Sequence, residues 1–436
     1  MRILHMADPS NTTLQISTDP AFGTLALNEE TEYKTSRAFT KGELPYGVNL
    51  YARTKHTHPE TGASNWSNTV QFKIIMPYNT VGVCYDRSSK TWSWIDELGN
   101  KMSSFDWQSH PTFDGITMVT EDASRSPVTM TRFPLFYVKT ATSGPVGTFS
   151  NGKKCWWISD QSAPGFRPHP TFKRSTQQVN GKYKISPYVD IMTFLGFEES
   201  VGGKTTIGSK RGTTVRGYTS LNDLRTFAQN RNNVSAGQTG WRVMDVWDWS
   251  MLRFLHLIAK ANGDSQASWG DNSSATSYPN AGSTNARMVF KGTHSDPRVS
   301  IEDLWRTYYQ PTDLATITSG GYQTYTSPMN STSVAYTVSK RYGYAWRWYD
   351  DFVSASFTLG DDTHDLLEVF HPTDAGASSE ADAIIKDQNI VDYDVGDIPF
   401  MGGDWNIGSR AGLWFLYWDI SASYSHHYYA GRFAKN

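Results

Sequence analysis

The feature that most constrains this chain is its C-terminal run, residues 401–436. Met401-Gly402-Gly403-Asp404-Trp405-Asn406-Ile407-Gly408-Ser409-Arg410-Ala411-Gly412 leads into Leu413-Trp414-Phe415-Leu416-Tyr417-Trp418-Asp419, and Ala430-Gly431-Arg432-Phe433-Ala434 follows. Paired glycines, one strand and a closing Gly-Arg-Phe make a backbone frame. Inside it lie Asp, Asn, Arg, Tyr and His, side chains that make adaptable contacts at modest entropic cost. Such a pattern points to display of side chains, not to catalysis.

Read with period two, the strand 413–419 puts Trp414, Leu416 and Trp418 on one face and Leu413, Phe415, Tyr417 and Asp419 on the other. The first set is purely apolar and is expected in the core. The second is expected to join Asp404, Asn406, Arg410, Tyr424, His426 and Tyr428 in an exposed ligand-binding patch. An aromatic contact between subunits stays open as the alternative, since Tyr and Trp enrich both kinds of surface. His426 and His427, on an extended segment, would point to opposite faces and would not chelate one ion together.

At 436 residues the chain can hold more than one unit with its own core. Aromatics reach 14%, with 16 Trp and 23 Tyr, so rings are available for both cores and interfaces. Lys plus Arg number 40 against 42 Asp plus Glu, and a net charge of -2 gives no general attraction to phosphate backbones or anionic membranes. Nucleic acid is therefore not expected as a partner. Met1 to Asp8 reaches a polar residue before an apolar run develops, so no secretory signal is expected, and no window supports a membrane span. Cys84 and Cys155, far apart and without metal-ligand spacing, are expected as buried thiols of a protein folded in a reducing cytoplasm.

Residues 1–76 read as short strands between turns: Leu14–Ser17, Ser36–Phe39, Gly47–Arg53 and Thr69–Ile74, a small β-sandwich. After a junction at Met76–Asn79, Val81–Tyr85 and Lys90–Ile95 read as a hairpin. Two helices are expected beyond it. One spans about 220–232 with Ser220 as N-cap and Asp223 in the capping-box position; the other spans about 245–262, capped by Asp245 and Asp248, with Gly263 as the left-handed stop. The runs 269–285 and 310–339 read as surface loops.

Ser17-Thr18-Asp19-Pro20-Ala21-Phe22, Leu50-Tyr51-Ala52-Arg53 and Asn65-Trp66-Ser67 resemble the second half of a fibronectin type III domain. Phe133–Lys139, Lys154–Ser159, Gly165–Phe172, Phe227–Asn232, Thr239-Gly240-Trp241, Met244–Asp248 and the C-terminal frame resemble, in order, the C-type-lectin-like domain of tailed-phage structural proteins. That resemblance covers about 350 residues. It implies an α+β fold over 77–436 behind an all-β sandwich over 1–76, and host recognition without catalysis. It also implies assembly with other virion proteins, homo-oligomers and a bacterial surface protein or glycan as target, in a particle assembled in the bacterial cytoplasm. A decoration or assembly protein is the competing reading. The family's Leu-Trp-Gly-Asn-Val-Trp core motif is broken here into Leu304-Trp305 and Gly343–Asp350, which implies an insertion at 306–342.

The fold is shared with formylglycine-generating enzymes, which need reactive cysteines near the C-terminus. This chain has none after Cys155, so the resemblance implies no enzyme, no catalytic residue and no cofactor. The calcium-binding Glu-Pro-Asn and Gln-Pro-Asp motifs of sugar-binding lectins are absent as well. The acidic run Asp361, Asp362, Asp365 and Glu368 lacks the ligand spacing of a calcium loop and is expected as solvated charge, with no metal site. Asp350-Asp351 with Asp361 offers paired carboxylates, but nothing fixes their separation, and a surface acidic pair is the simpler reading.

Overall fold

A computed structural model describes residues 2–4, 11–32, 36–38, 44, 49–57, 64–73, 79–122, 126–142, 153–163, 165–179, 182–234, 239–270, 277–319, 321–325, 334–338, 343–359, 362–372, 377–391 and 394–436. The chain divides into two units, Met1–Tyr78 and Asn79–Asn436. Among the described residues strands far outweigh helices, a largely β, α+β composition.

In the first unit, strand Asn11–Ser17 lies between Leu25–Glu32 and Asn49–Thr57, antiparallel to both, and Asn49–Thr57 also pairs with Ser64–Trp66 and Val70–Lys73. Period two brings Leu14 and Ile16 onto one face with Leu50 and Ala52, and Leu44 completes this small core. The turn after Asn11–Ser17 is built by Asp19, whose carboxylate accepts the amides of Ala21 (2.9 Å) and Gly23 (3.0 Å). The Arg53 guanidinium then lies over the rings of Phe22 (4.0 Å) and Trp66 (4.3 Å). Strand Leu25–Glu32 escapes a sequence reading because Asn28 and Glu29 break its apolar alternation.

The second unit is arranged around two helices. Helix α1, Leu221–Val234, buries Leu221, Leu224, Phe227, Ala228 and Arg231 on one face. Its start is the expected capping box: the Asp223 amide donates to Ser220 Oγ (3.1 Å) and the Ser220 amide to Asp223 Oδ2 (2.9 Å). Helix α2, Val246–Lys260, is buried from Val246 to Ala259, so its polar residues must find partners inside. Asp245 and Asp248 form its capping box, and the Arg242 guanidinium binds both carboxylates. Thr171 Oγ1 donates to Asp248 (2.5 Å), and Arg253 Nε donates to the Leu413 carbonyl (3.1 Å). The left-handed residue at its end is Ala261, at φ +43°, and not Gly263. Gly263 serves a different need: a Cβ there would run into the Ile384 carbonyl.

Three five-stranded sheets surround these helices. One orders Thr117–Glu121, Val128–Pro134, Tyr188–Met192, Phe433–Lys435 and Trp241–Val243. The second orders Arg167–Pro168, Tyr137–Ala141, Lys154–Ser159, Thr80–Asp86 and Thr91–Ile95, and includes the expected hairpin. The third orders Gln310–Pro311, Asp397–Met401, Leu416–Ser421, Ile385–Val391 and Gly343–Tyr349, with Leu416–Ser421 and Ile385–Val391 parallel. The main core runs from α2 to Val81, Val83, Trp156, Ile158, Trp305 and Trp414, each of whose large side chains contributes about 1.5–3 kcal/mol by leaving water.

Several expectations fail here for traceable reasons. Cys84 and Cys155 are not free thiols: antiparallel register sets them opposite each other, Cα atoms 4.3 Å apart, in a disulfide. The surface run expected from Gln310 begins in the core, because 301–315 is buried throughout. The run 269–285 is likewise not all surface, since Ala281 and Thr284 are buried and the Gly282 amide donates to Asp303 Oδ2 (2.6 Å). The acidic run is not solvated charge either. Glu368 is fully buried between Arg167 and His364, Asp362 pairs with Lys173, and Asp365 caps the turn Leu366–Glu368; Asp361 lies outside the described residues. Asp351 pairs with Lys154 at 2.7 Å. Among the described residues no group of His, Cys, Asp or Glu is placed to hold a metal ion, and no helix is long and apolar enough to cross a membrane.

Candidate functional site: a ring-bearing C-terminal face

The frame of the C-terminal run consists of close backbone approaches. A Cβ on Gly402 would meet the Leu304 carbonyl, one on Gly412 the Asp387 carboxylate, and one on Gly431 the side chain of Leu224. Arg432 is 1% exposed and ties this frame together. Its guanidinium donates to the carbonyls of Met192 (3.1 Å), Glu302 (2.9 Å) and Asp303 (3.0 Å) and to Gln310 Oε1 (2.8 Å). Burial lowers its pKa to about 10, which still leaves it protonated at neutral pH.

Strand Leu416–Ser421 keeps the expected alternation over its own length: Leu416 and Trp418 are buried, Tyr417 and Asp419 half-buried, with Tyr417 Oη donating to Asp419 Oδ2 at 2.7 Å. Just before the strand, Leu413, Trp414 and Phe415 are all buried; Phe415 keeps to the face of Tyr417, but that face is covered there by Tyr309 and Trp346, and Leu413 joins the core of Trp414 instead. Phe415 therefore leaves the patch: it packs among Tyr309 and Trp346. Asp404 leaves it too, at 6% exposure, with its carboxylate accepting from Tyr278 Oη (3.2 Å) and its pKa raised by burial. The other seven expected residues stay at the surface, Asn406, Arg410 and Tyr424 exposed and Tyr417, Asp419, His426 and Tyr428 half-buried.

The loop 422–430 that carries three of them is held by backbone hydrogen bonds at both ends. The Asn222 amide donates to Ala422 O (3.1 Å) and the Tyr218 amide to His426 O (2.9 Å). Tyr309 donates to Tyr428 O (3.0 Å) and accepts from the Ala430 amide (3.1 Å). This loop turns instead of extending, so His426 and His427 do not diverge; their ring centroids lie 4.2 Å apart. His426 also lies against Tyr428, its ring tilted at 3.9 Å, and nearly parallel to Tyr424 (6.4 Å). Burial first, then the charge of His427, holds the His426 pKa below its ordinary value.

Three residues that sequence reasoning did not select complete the face. Tyr218, 67% exposed, reaches His427 at 5.9 Å and His426 at 6.4 Å. Its φ of +54° is uncommon for a side-chain-bearing residue, and such conformations gather at functional positions. Tyr278 meets His427 edge-on at 5.3 Å. Trp346 stacks on Tyr417 (6.2 Å) and carries the Arg410 guanidinium 5.2 Å above its ring. Buried Tyr309 touches both Tyr417 (5.6 Å) and Tyr428 (5.5 Å), which joins the two ring clusters into one surface. These partners lie far upstream of the residues they meet, Trp346 of Arg410 and Tyr417, Tyr278 and Tyr218 of His427, so no local pattern could have selected them.

The arrangement offers ring faces, the Arg410 guanidinium, imidazoles and hydroxyls around a fixed backbone. No protein-family model matches the chain, and a search of curated proteins finds no match.

Proposed function

We propose that this chain is a virion structural protein of a tailed phage. In this reading a C-type-lectin-like domain, following a truncated fibronectin type III-like sandwich, presents the C-terminal face for non-catalytic recognition of a bacterial surface protein or glycan. The observation that carries the proposal is the loop 422–430, pinned to Tyr218, Asn222 and Tyr309 while Tyr218, Tyr424 and His427 stay exposed. Rings held by a rigid backbone lose little entropy on binding, which is what paratope-like surfaces exploit. Several copies on one particle would turn weak single contacts into firm attachment.

Particles carrying Tyr218→Ala with Tyr424→Ala test the proposal. Both residues are exposed, so assembly is expected to proceed normally while adsorption to host cells falls by about tenfold or more. Normal adsorption with failed assembly would discard attachment in favour of the second reading, a decoration or assembly protein whose rings meet a neighbouring subunit.

A further inference from the structure

A second recessed site lies at the C-terminal end of α2 and shares no residue with the ring-bearing face. It is a cavity of about 340 Å³ whose lining includes Trp107, Gln108, Lys260, Ser268, Trp269 and His294, a size suited to a small molecule. Lys260 closes α2, and its ammonium lies 4.1 Å from the Trp269 ring centroid and 5.0 Å from that of Trp107. Burial holds its pKa below the ordinary value, and no charged group offsets this. Among the described residues no hydrogen bond or ion pair engages this ammonium. Two ring faces compensate only part of the lost hydration of a cation, so among the described residues the site presents a cation without an oxygen anion.

The rings around it are fixed. Trp269 Nε1 donates to His256 Nδ1 (2.8 Å), and His256 Nε2 donates to the Asn262 carbonyl (2.7 Å). Burial keeps that imidazole neutral, its pKa down to about 3, which fixes one nitrogen as acceptor and the other as donor. Trp107 meets Trp269 edge-on at 5.5 Å, which leaves a face of an indole toward the Lys260 side. At the rim Gln108 is exposed, and the Ser268 hydroxyl donates to Asp264 O (2.6 Å) while its oxygen can still accept. Gly270, at φ +101°, lets the chain pass the His294 ring, where a Cβ would collide.

We propose that this cavity binds a small carboxylate-bearing molecule with a flat apolar face, of the uronic-acid class. The carboxylate meets the Lys260 ammonium, the C–H face of the ring lies on Trp107, and hydroxyls reach Gln108 and Ser268. Charge-assisted hydrogen bonding makes the acid, not the neutral sugar, the preferred ligand.

The test is a ligand-observed NMR titration of the full chain with sodium glucuronate and, in parallel, with glucose. Glucuronate is expected to bind about tenfold or more tightly than glucose, the scale of one charged hydrogen bond. The wild-type measurement decides by itself: no glucuronate binding, or equal binding of the two sugars, overturns the proposal. Lys260→Gln then locates the site, since it is expected to abolish the preference while the melting temperature stays near that of the wild type. A preference undiminished in a folded Lys260→Gln variant also overturns it, and Lys260→Arg, which keeps the charge, is expected to keep the preference.

Discussion

Arg432 shows how much of the candidate site depends on one residue that never meets a ligand. Its donors reach three carbonyls and one side-chain amide from segments far apart in sequence, and it sits between Gly431 and the C-terminal strand Phe433–Lys435. A lysine keeps the charge but not the planar fork, so Arg432→Lys strands several buried carbonyls. Chemical denaturation of that variant is expected to show a loss of about 3–5 kcal/mol, and a loss below about 1 kcal/mol would mean that the carbonyls find other partners. At this scale the sequence was legible in part. Gly431-Arg432-Phe433 reads as framing, and Tyr424, Arg410 and Asn406 read as surface. Phe415 and Asp404 do not, because their burial depends on Tyr309, Trp346 and Tyr278 arriving from elsewhere.

Elements with a local signature were readable: both long helices announce themselves by capping boxes and apolar spacing, and the hairpin 80–95 by its turn. Elements defined by partners were not. Period two puts Phe415 on the face of Tyr417, where both rings pack on Tyr309 and Trp346, but it cannot show that these distant residues cover the Phe415 end of that face. The pairing of Thr80–Asp86 with Lys154–Ser159 is equally invisible, and with it the disulfide that closes a separation of 71 residues. A crosslink over a loop of that length restricts the unfolded chain, so Cys84→Ser with Cys155→Ser is expected to cost about 2–4 kcal/mol. Urea denaturation with and without reductant checks it. Reductant that lowers the midpoint of the wild type but not of the double variant is the expected result, and no effect on either would show the cysteines unpaired in solution.

At the scale of the whole molecule, buried titratable groups set opposing pH dependences. Burial lowers the pKa values of His256 and His371 from 6.5 to about 3, so the stability they confer is complete above pH 6.5 and is lost as the unfolded chain takes up protons below it. Asp387 acts in the other direction. Its Oδ2 accepts the Trp414 amide (2.9 Å) and Ser265 Oγ (3.0 Å), while among the described residues Oδ1 has no hydrogen-bond partner, and burial raises its pKa from 3.8 to about 7. Its contribution is therefore present below pH 3.8 and is lost as pH rises through 7. Between pH 3.8 and 6.5 the folded chain gives up two histidine protons relative to the unfolded chain and holds one carboxyl proton, so these three groups together make stability rise with pH. Asp387→Asn removes the opposing member and keeps an oxygen for Trp414 and Ser265. The stability of the variant relative to the wild type is expected to grow by about 1 kcal/mol per pH unit from pH 3.8 to 7 and then to level off. Denaturation across that range measures the difference directly, and a difference independent of pH would place the charged carboxylate in the folded core, held by a compensating partner at Oδ1.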